Sequence, residues 1–158
     1  MRIVIEDGVT KRYPTETDNA ILGFFPPYRW LSNFHMSETI MPDDLVYPSV
    51  ENAYQAYKLE SVEDRKPFIT YTCGQAKKMG QQVKLRSDWE NIKVDVMRQC
   101  LESKFKNKEL MDMLQATAPK YLREDNNWND IFWGYCNDKG QNKLGILLME
   151  IRDKSLDK

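Results

Sequence analysis

SVENAYQAYK, residues 49–58, is the stretch in which the chain changes from short extended segments to helices. The apolar positions follow the i, i+3, i+4, i+7 spacing of an amphipathic helix: Val50, Ala53, Tyr54 and Tyr57. Ser49 is a candidate N-cap for this helix. At about 100° per residue, Glu51 and Lys58 lie about 20° apart on the helical wheel, beside the apolar face. The stretch therefore predicts a helix with a narrow polar stripe in the position of a cleft wall.

Glu51 allows two interpretations. A carboxylate in the first turn suits the positive end of the helix dipole, and a solvated charge there needs no further role. Alternatively, the acid is present for chemistry, with Lys58 two turns away on the same stripe. The residue pattern alone leaves both interpretations open.

The composition is that of a soluble globular chain. The sequence has 158 residues, 41% hydrophobic and 30% charged, with a formal net charge of −1, so we expect one domain spanning residues 1–158. No apolar run is long enough to cross a bilayer, and the MRIVIEDG start does not resemble a signal peptide. Three widely spaced cysteines are typical of a reduced protein. We therefore expect a cytoplasmic protein with no membrane partner.

The sequence lacks the common motifs of nucleophilic and metal catalysis. His35 is the one histidine, and the chain has no GxSxG, CxxC, HExxH, EF-hand, GxxxxGK[ST] or GxGxxG motif. We expect no metal and no cofactor. In an enzyme of this composition, carboxylates would carry the acid–base chemistry, assisted by a lysine.

The periodicity predicts a helix-dominated α+β single domain with a few short strands near the N-terminal half. Predicted extended segments are 2–5, 21–25, a hairpin over 38–47 turning at PDD, and a short strand in YLRED (121–125). Predicted helices cover 50–58, 62–71, 74–82, 87–106, 108–116 and 142–154. The helix at 87–106 is predicted to open with a capping box formed by Ser87 and Glu90.

Three further clusters are candidate binding elements. NNWNDIFWG (126–134) surrounds Asp130 with aromatic residues in a segment without helical or strand period; it suits recognition of a planar base or is a buried plug in which Asp130 caps its own backbone. KKMGQQVKLRSDWE (77–90) has basic residues before a helix N-terminus, which suit a phosphate or form a solvated turn. WLSNF (30–34) offers the amide of Asn33 between aromatic residues, or is a tight turn.

Taken together, these stretches resemble the NADAR family, also called the YbiA-like family. The resemblance covers nearly everything from Leu31 to Arg152. The matching stretches, in family order, are LSNF (31–34), YPSVENAYQAYK (47–58), AKKMG (76–80), VKLRSDWENIK (83–93), VMRQCLESKF (96–105), LQATAPKYLRE (114–124), NDIFWG (129–134) and GQNKLGILLMEIR (140–152).

The resemblance implies a YbiA-like fold and an N-glycosidase. Family members are described as hydrolysing phosphorylated ribosylamino-pyrimidine intermediates of riboflavin synthesis, or as removing ADP-ribose from guanine in DNA. The implied catalytic residues are Glu51, Asp130 and Lys58, the last as the lysine proposed to form an imine with the sugar. The implied substrate-binding residues are Trp89, Trp133, Asn33, Arg86, Lys78 and Asn142. The expected partner is thus a small nucleotide-like substrate or ADP-ribosylated DNA.

Two positions depart from the family pattern. Many members have histidine where this chain has Asn52, and many have arginine where it has Gln81. If that arginine binds phosphate, the contact here falls to Lys78, Lys84 or Arg86, which weakens the transfer of the riboflavin-intermediate substrate.

Two non-catalytic hypotheses remain beside the enzyme: a module that binds ADP-ribose or a nucleotide without cleaving it, and an interaction protein with exposed aromatic residues. The catalytic hypothesis requires Glu51 and Asp130 to border one hollow large enough for a ribose.

Overall fold

The computed structural model describes residues 1–158 and has the predicted helix-dominated α+β character. The α-helices are α1 (Val50–Ala56), α2 (Val62–Arg65), α3 (Cys73–Gly80), α4 (Trp89–Lys104), α5 (Lys108–Ala116) and α6 (Lys143–Leu156). The strands are β1 (Arg2–Glu6), β2 (Val9–Tyr13), β3 (Thr15–Glu16), β4 (Ala20–Leu22), β5 (Met36–Ile40), β6 (Val46–Ser49) and β7 (Tyr121–Arg123). The chain forms two compact units, a middle unit of residues 33–110 and a terminal unit of residues 1–32 and 111–158. That one domain spans the whole chain stays a prediction.

The middle unit begins with the predicted hairpin. β5 and β6 pair antiparallel with an irregularity between Met36 and Thr39, and the Met41–Leu45 turn lies between them. The Asp43 side chain accepts from the Leu45 N–H, which fixes the turn as the sequence predicts. β6 then runs directly into α1, so the hairpin sets the position of the helix that carries Glu51.

Helix α1 lies at the centre of the middle unit. All seven of its residues are buried, where the sequence predicts one apolar face. Its fully buried amide, Asn52, donates to the carbonyl oxygens of Phe68 and Tyr71, both at 2.8 Å, and accepts from the Ser49 hydroxyl. Asn52 therefore holds the segment after α2 against α1.

Two helix predictions for this unit need correction. The predicted 62–71 helix is an α-helical turn, α2, followed by a 3₁₀ turn at Lys66–Ile69, because Pro67 lacks an amide hydrogen. The predicted capping box of Ser87 and Glu90 is wrong. α4 begins at Trp89 after Asp88, whose side chain makes no cap hydrogen bond because it is paired with Arg86.

The terminal unit contains the first hairpin and a three-stranded sheet. β1 pairs with β2, and the second sheet has the order β3-β4-β7 with β4 and β7 parallel. The predicted strand over 21–25 ends at Leu22, because Gly23 takes a positive φ of 109° and turns the chain. The predicted strand in YLRED is confirmed over Tyr121–Arg123.

The three cysteines, Cys73, Cys100 and Cys136, are free and buried. No helix combines the length and apolar character that a membrane crossing requires.

Candidate active site

Ser49 and its neighbours place Glu51 in the first turn of α1. Ser49 is extended (φ −158°, ψ 164°) and its hydroxyl accepts from the Asn52 N–H at 3.0 Å, so the predicted N-cap is confirmed. The Glu51 N–H, one of the amides without a partner inside the helix, donates to the carbonyl oxygen of Asn33 at 3.1 Å. This bond joins the LSNF segment to the start of α1.

Glu51 is not a solvated first-turn residue. Only 8% of its surface is exposed. Gln55, one turn later, donates from Nε2 to Glu51 Oε1 at 2.8 Å. A charged carboxylate is costly to bury without hydrogen bonds, so Gln55 stabilises the acid in this position and fixes the direction of its oxygens.

The side-chain oxygen of Gln55 has no hydrogen-bond partner. Its Oε1 atom is buried and accepts no hydrogen bond, and a Cβ atom placed on Gly80 would lie 1.8 Å from it. Gly80, at the end of α3, therefore provides the space for this amide. A buried acceptor without a donor is unfavourable, and it is suited to a donor that arrives with a ligand.

Lys58 lies just beyond α1 and is half-buried. Its Nζ donates to the carbonyl oxygen of Gly80 at 3.2 Å and lies 5.9 Å from the centroid of the Tyr54 ring. Burial lowers the pKa of the Lys58 amine below its ordinary value, the negative charge of Glu51 opposes that change, and the positive charge of Lys93 adds to it. Glu51 and Lys58 are therefore close enough for their charges to interact, as the helical wheel predicts.

Aromatic side chains border this group. The rings of Tyr54 and Trp89 lie 5.1 Å apart, tilted by 60°, and both residues are buried. Trp89 reaches this position because α4 packs against α1. The predicted role of Trp89 as a pocket wall fits this packing and stays a prediction.

The predicted phosphate contacts differ in their surroundings. The Arg86 N–H donates to the Lys58 carbonyl oxygen, which fixes Arg86 beside the Lys58 backbone. Its guanidinium binds both carboxylate oxygens of Asp88, at 2.6 and 3.2 Å. Lys78 is exposed on α3. An anion at Arg86 would share the guanidinium with Asp88, so the predicted phosphate role of both cations stays a prediction.

Asn33 carries a second buried acceptor without a partner. Its Nδ2 contacts Met97 Sδ at 3.6 Å, whereas its Oδ1 accepts no hydrogen bond. Asn33 and Gln55 are each hydrogen-bonded to Glu51, the first through its backbone and the second through its side chain. The middle unit therefore holds two unsatisfied acceptors on residues bonded to one buried acid.

In the terminal unit, Asn126 organises the loop that carries Asp130. The buried Asn126 accepts from the N–H groups of Trp128 and Asp130 and donates to the Asp130 carbonyl oxygen. Asp130 Oδ1 in turn accepts from the Trp133 N–H at 3.0 Å. Asp130 thus caps its own loop through one oxygen, which was one of the two sequence interpretations. A ligand role for the rest of the carboxylate stays a prediction.

Trp133 and Asn142 lie where this loop meets helix α6. The N–H groups of Lys143 and Leu144, at the start of α6, donate to the carbonyl oxygens of Phe132 and Trp133. Trp133 is half-buried and packs edge-on against Phe132, with ring centroids 4.8 Å apart. The loop is therefore held by helix-end hydrogen bonds rather than by regular secondary structure.

Asn142 is 2% exposed and takes a left-handed conformation. Its amide accepts from the Glu124 N–H and donates to the Leu122 carbonyl oxygen. These bonds join α6 to the segment after β7. Substrate contact by Asn142 stays a prediction.

The structure thus places the predicted residues in two groups: Glu51, Lys58, Trp89, Asn33, Arg86 and Lys78 in the middle unit, and Asp130, Trp133 and Asn142 in the terminal unit. That Glu51 and Asp130 border one hollow stays a prediction. Sequence reasoning placed Gln55 near Glu51 and Lys58 on the helical wheel but assigned it no role in the site, and it missed Asn126. The i, i+4 spacing of Glu51 and Gln55 was the available signal for Gln55.

Neither a metal cluster nor a cleft found in the terminal unit includes these residues. No group of three or more His, Cys, Asp or Glu side chains is arranged to hold a metal ion. A cleft of about 300 Å³ in the terminal unit is lined by Glu16, Ile21, Tyr28, Trp30, Met113, Ala116, Thr117 and Lys120. None of the predicted site residues lines that cleft.

Comparison with known proteins identifies the family. Residues 20–155 match the model of the NADAR domain. The chain is 35% identical over 156 residues to N-glycosidase YbiA of Shigella flexneri serotype 5b, covering 96% of this chain and 91% of that protein. It is 33% identical over 144 residues to riboflavin biosynthesis protein PYRR of Zea mays, covering 79% of this chain and 23% of that protein.

The fold has a counterpart among solved structures. The NMR structure of Escherichia coli YbiA superimposes with a TM-score of 0.77 at 34% identity, covering 90% of this chain and 88% of that chain. The chain therefore belongs to the NADAR family. The predicted YbiA-like α+β fold and the predicted enzyme class, a hydrolase acting on N-glycosyl bonds, are confirmed.

Proposed function

We propose that this enzyme hydrolyses the bond between ribose C1′ and a base nitrogen in a phosphorylated N-riboside, with Glu51 as the central catalytic group. The observation that carries the proposal is the buried Glu51 carboxylate, oriented by Gln55 and electrostatically coupled to Lys58. Cleavage of such a bond passes through an oxocarbenium-like state, with positive charge on C1′ and the ring oxygen. A fixed carboxylate in a dry environment stabilises that charge more than a solvated one does.

The chemistry of each step follows from this arrangement. The electron pair of the C1′–N bond leaves with the base, whose nitrogen takes up a proton. Glu51 stabilises the cationic sugar and removes a proton from the attacking water, which becomes the hydroxyl at C1′. Carboxylate catalysis of this kind needs no metal ion.

Two acceptors support a ribose or base as the ligand. Asn33 Oδ1 and Gln55 Oε1 are buried without donors, and both residues are bonded to Glu51. Ribose hydroxyls and exocyclic amino groups are donors that would satisfy them. Trp89 supplies a flat apolar surface, and Lys78 and Arg86 are the candidate phosphate contacts.

The substrate has two candidate sources that share this chemistry. The first candidate, a phosphorylated ribosylamino-pyrimidine of riboflavin synthesis, follows from the family resemblance, and the names of PYRR and of the riboflavin biosynthesis protein VVA0006 of Vibrio vulnificus support a link to riboflavin synthesis. The second candidate, ADP-ribosylated guanine in DNA, follows from the family resemblance. Gln81, which replaces the arginine that many members carry, weakens the transfer of the first candidate. Incubating the protein separately with each compound and measuring released sugar distinguishes them.

Asp130 has its own test. The role implied for it is to orient a ribose hydroxyl or the leaving base. Asp130→Asn keeps one acceptor oxygen for the Trp133 N–H but removes the charge. We expect a fall in kcat of roughly tenfold or more with an unchanged thermal midpoint. An active Asp130→Asn enzyme would restrict Asp130 to its loop-capping role.

The decisive variant is Glu51→Gln, which keeps the shape of the side chain and removes its charge. We expect kcat to fall by roughly 100-fold or more, with retained ligand affinity in calorimetry. Glu60→Gln is the matched control, because Glu60 is exposed just beyond α1. Binding without turnover by the unaltered protein, for every substrate tested, would identify a non-catalytic nucleotide-binding module instead.

A further inference from the structure

The first hairpin has an open edge. β1 and β2 form a two-stranded sheet, and they precede residue 20, where the match to the family model begins. No strand lies beside β1 on the side away from β2. A strand edge of this kind presents unpaired N–H and C=O groups that can pair with another chain.

The turn of this hairpin determines which groups are unpaired. Asp7 and Gly8 have φ values of 53° and 75°, as a two-residue type I′ turn requires. Such a turn closes on a hydrogen-bonded pair, here Glu6 and Val9, which lie opposite each other.

Hydrogen-bonded and non-hydrogen-bonded pairs alternate along an antiparallel ladder. Arg2 and Val4, like Glu6, therefore direct their backbone groups towards β2. The backbone groups of Ile3 and Ile5 point to the open edge. Both side chains are also exposed, by 47% and 73%, so neither the edge nor its apolar face is covered.

The backbone groups of Ile3 and Ile5 allow a register in which the sequence of β1 is complementary to that of β1 in a second copy of the chain. In an antiparallel pair with a second copy, Ile3 bonds to Ile5 of the other strand. Val4 then lies opposite Val4, and Arg2 lies opposite Glu6. A shift of two residues in either direction leaves only an Ile5–Ile5 or an Ile3–Ile3 pair within the strands, with two backbone bonds, and places a charged residue opposite Val4. One register therefore combines four backbone hydrogen bonds with two opposite-charge pairs.

The existing partners of these charges are compatible with the pairing. The Arg2 guanidinium lies 5.2 Å from the centroid of the Tyr13 ring, and a stacked guanidinium keeps N–H groups free at its edge. Glu6 accepts from Lys11 at 2.7 Å, an exposed pair of low strength, and from the Tyr13 hydroxyl at 3.4 Å. A carboxylate has lone pairs for a second donor.

We propose that the open edge of β1 is an interface for a second copy of this chain, with β1 pairing antiparallel to β1 about a two-fold axis at Val4. The two hairpins then form one four-stranded sheet, on which Ile3 and Ile5 of both copies lie side by side. The contact is small, so the dimer is weak and depends on protein concentration.

Sedimentation velocity tests the association. We expect the mass to rise from 18.7 kDa towards twice that value between about 10 µM and 1 mM. Arg2→Glu or Glu6→Arg alone places like charges opposite each other and weakens association roughly tenfold. An equimolar mixture of the two variants restores it, because each strand then faces the opposite charges. A constant monomer mass, or a mixture no stronger than its components, would overturn the proposal.

Two controls distinguish loss of the dimer interface from damage to the hairpin itself. Arg12→Glu makes the same charge change on β2 and leaves association unchanged. Amide exchange gives a readout by residue: at high protein concentration, exchange slows at Ile3 and Ile5, whereas Val4 is protected at every concentration by β2. Slowing at Val4 without slowing at Ile3 and Ile5 would contradict this edge.

Discussion

The amide of Gln55 connects the buried acid to the glycine that ends α3. Its Nε2 donates to Glu51 Oε1 at 2.8 Å, and its Oε1 occupies the space that a side chain at Gly80 would need. Lys58 Nζ also donates to the Gly80 carbonyl oxygen. Gly80 therefore influences the positions of both Glu51 and Lys58. The orientation of Glu51 therefore depends on the close approach of α1 and α3.

Gly80→Ala is expected to lower activity without unfolding the protein. The new methyl group would lie 1.8 Å from Gln55 Oε1, so the amide must rotate or shift away from Glu51. Loss of one orienting hydrogen bond to a catalytic carboxylate lowers kcat by roughly 10- to 100-fold. Single-turnover kinetics and the thermal midpoint are the measurements, because alanine otherwise favours a helix by about 1 kcal/mol.

Gly74→Ala is the matched control in the same helix, since a Cβ atom at Gly74 meets nothing within 4 Å. It should keep full activity. In the double variant Gln55→Ala/Gly80→Ala, the methyl group no longer has an amide to displace. Its kcat should equal that of Gln55→Ala alone. A further tenfold loss in the double variant would show that Gly80 acts by another route.

The titration of Lys58 predicts a pH dependence of stability. Burial lowers its pKa in the folded protein below the ordinary 10.5, so between these two pKa values the unfolded chain binds more protons. The free energy of unfolding contributed by Lys58 therefore rises with pH across that window and is lowest below the folded pKa. Urea midpoints measured from pH 7 to 10.5 for the unaltered protein and for Lys58→Met should converge as pH rises.

The control for this prediction is Lys78→Met, which removes the same charge from an exposed position on α3. Its midpoint should stay at a constant offset from that of the unaltered protein. A constant offset for Lys58→Met as well would mean that burial does not perturb this amine, and the case for Lys58 as a nucleophile near neutral pH would weaken with it.

Asn126 supports the Asp130 loop, and its removal should destabilise the protein. Asn126→Ala deletes the side chain that accepts from two loop N–H groups and donates to the Asp130 carbonyl oxygen. We expect a loss of about 2–4 kcal/mol in the free energy of unfolding, measured by urea titration. Asn127→Ala, at the exposed neighbouring residue, should change it by less than about 0.5 kcal/mol. Equal effects would show that the loop does not depend on Asn126.

Most elements of the fold follow from local sequence signals. Ser49, the helical spacing after it and the PDD turn predict α1 and the β5–β6 hairpin, because each rests on neighbours in the chain. The start of α4 was predicted too early, with Ser87 as the cap. In the structure Arg86 pairs with the Asp88 carboxylate, and the helix begins only after Asp88. The second strand of the first hairpin, β2, was missed because its residues are mostly polar and exposed.

The site was predictable only in part, because its burial depends on residues that are distant in sequence. The wheel placed Glu51, Gln55 and Lys58 on one stripe, but it predicted a single buried face, whereas α1 is buried all round. That burial comes from segments distant in sequence, which periodicity in α1 does not encode. The space that Gly80 leaves for Gln55, 25 residues further along the chain than Gln55 itself, has no local signal at all.

The covalent route through Lys58 has a chemical test. If the neutral Lys58 amine attacks C1′, the base leaves and ring opening of the sugar gives an imine between C1′ and Nζ. Borohydride present during turnover reduces that imine to a stable secondary amine, so the protein mass increases by that of the reduced sugar and peptide mapping locates it at Lys58. Lys58→Arg cannot form the imine and should give neither adduct nor turnover. Turnover by Lys58→Arg without any adduct in the unaltered enzyme would instead leave the water route, in which Lys58 acts as the cation beside Glu51.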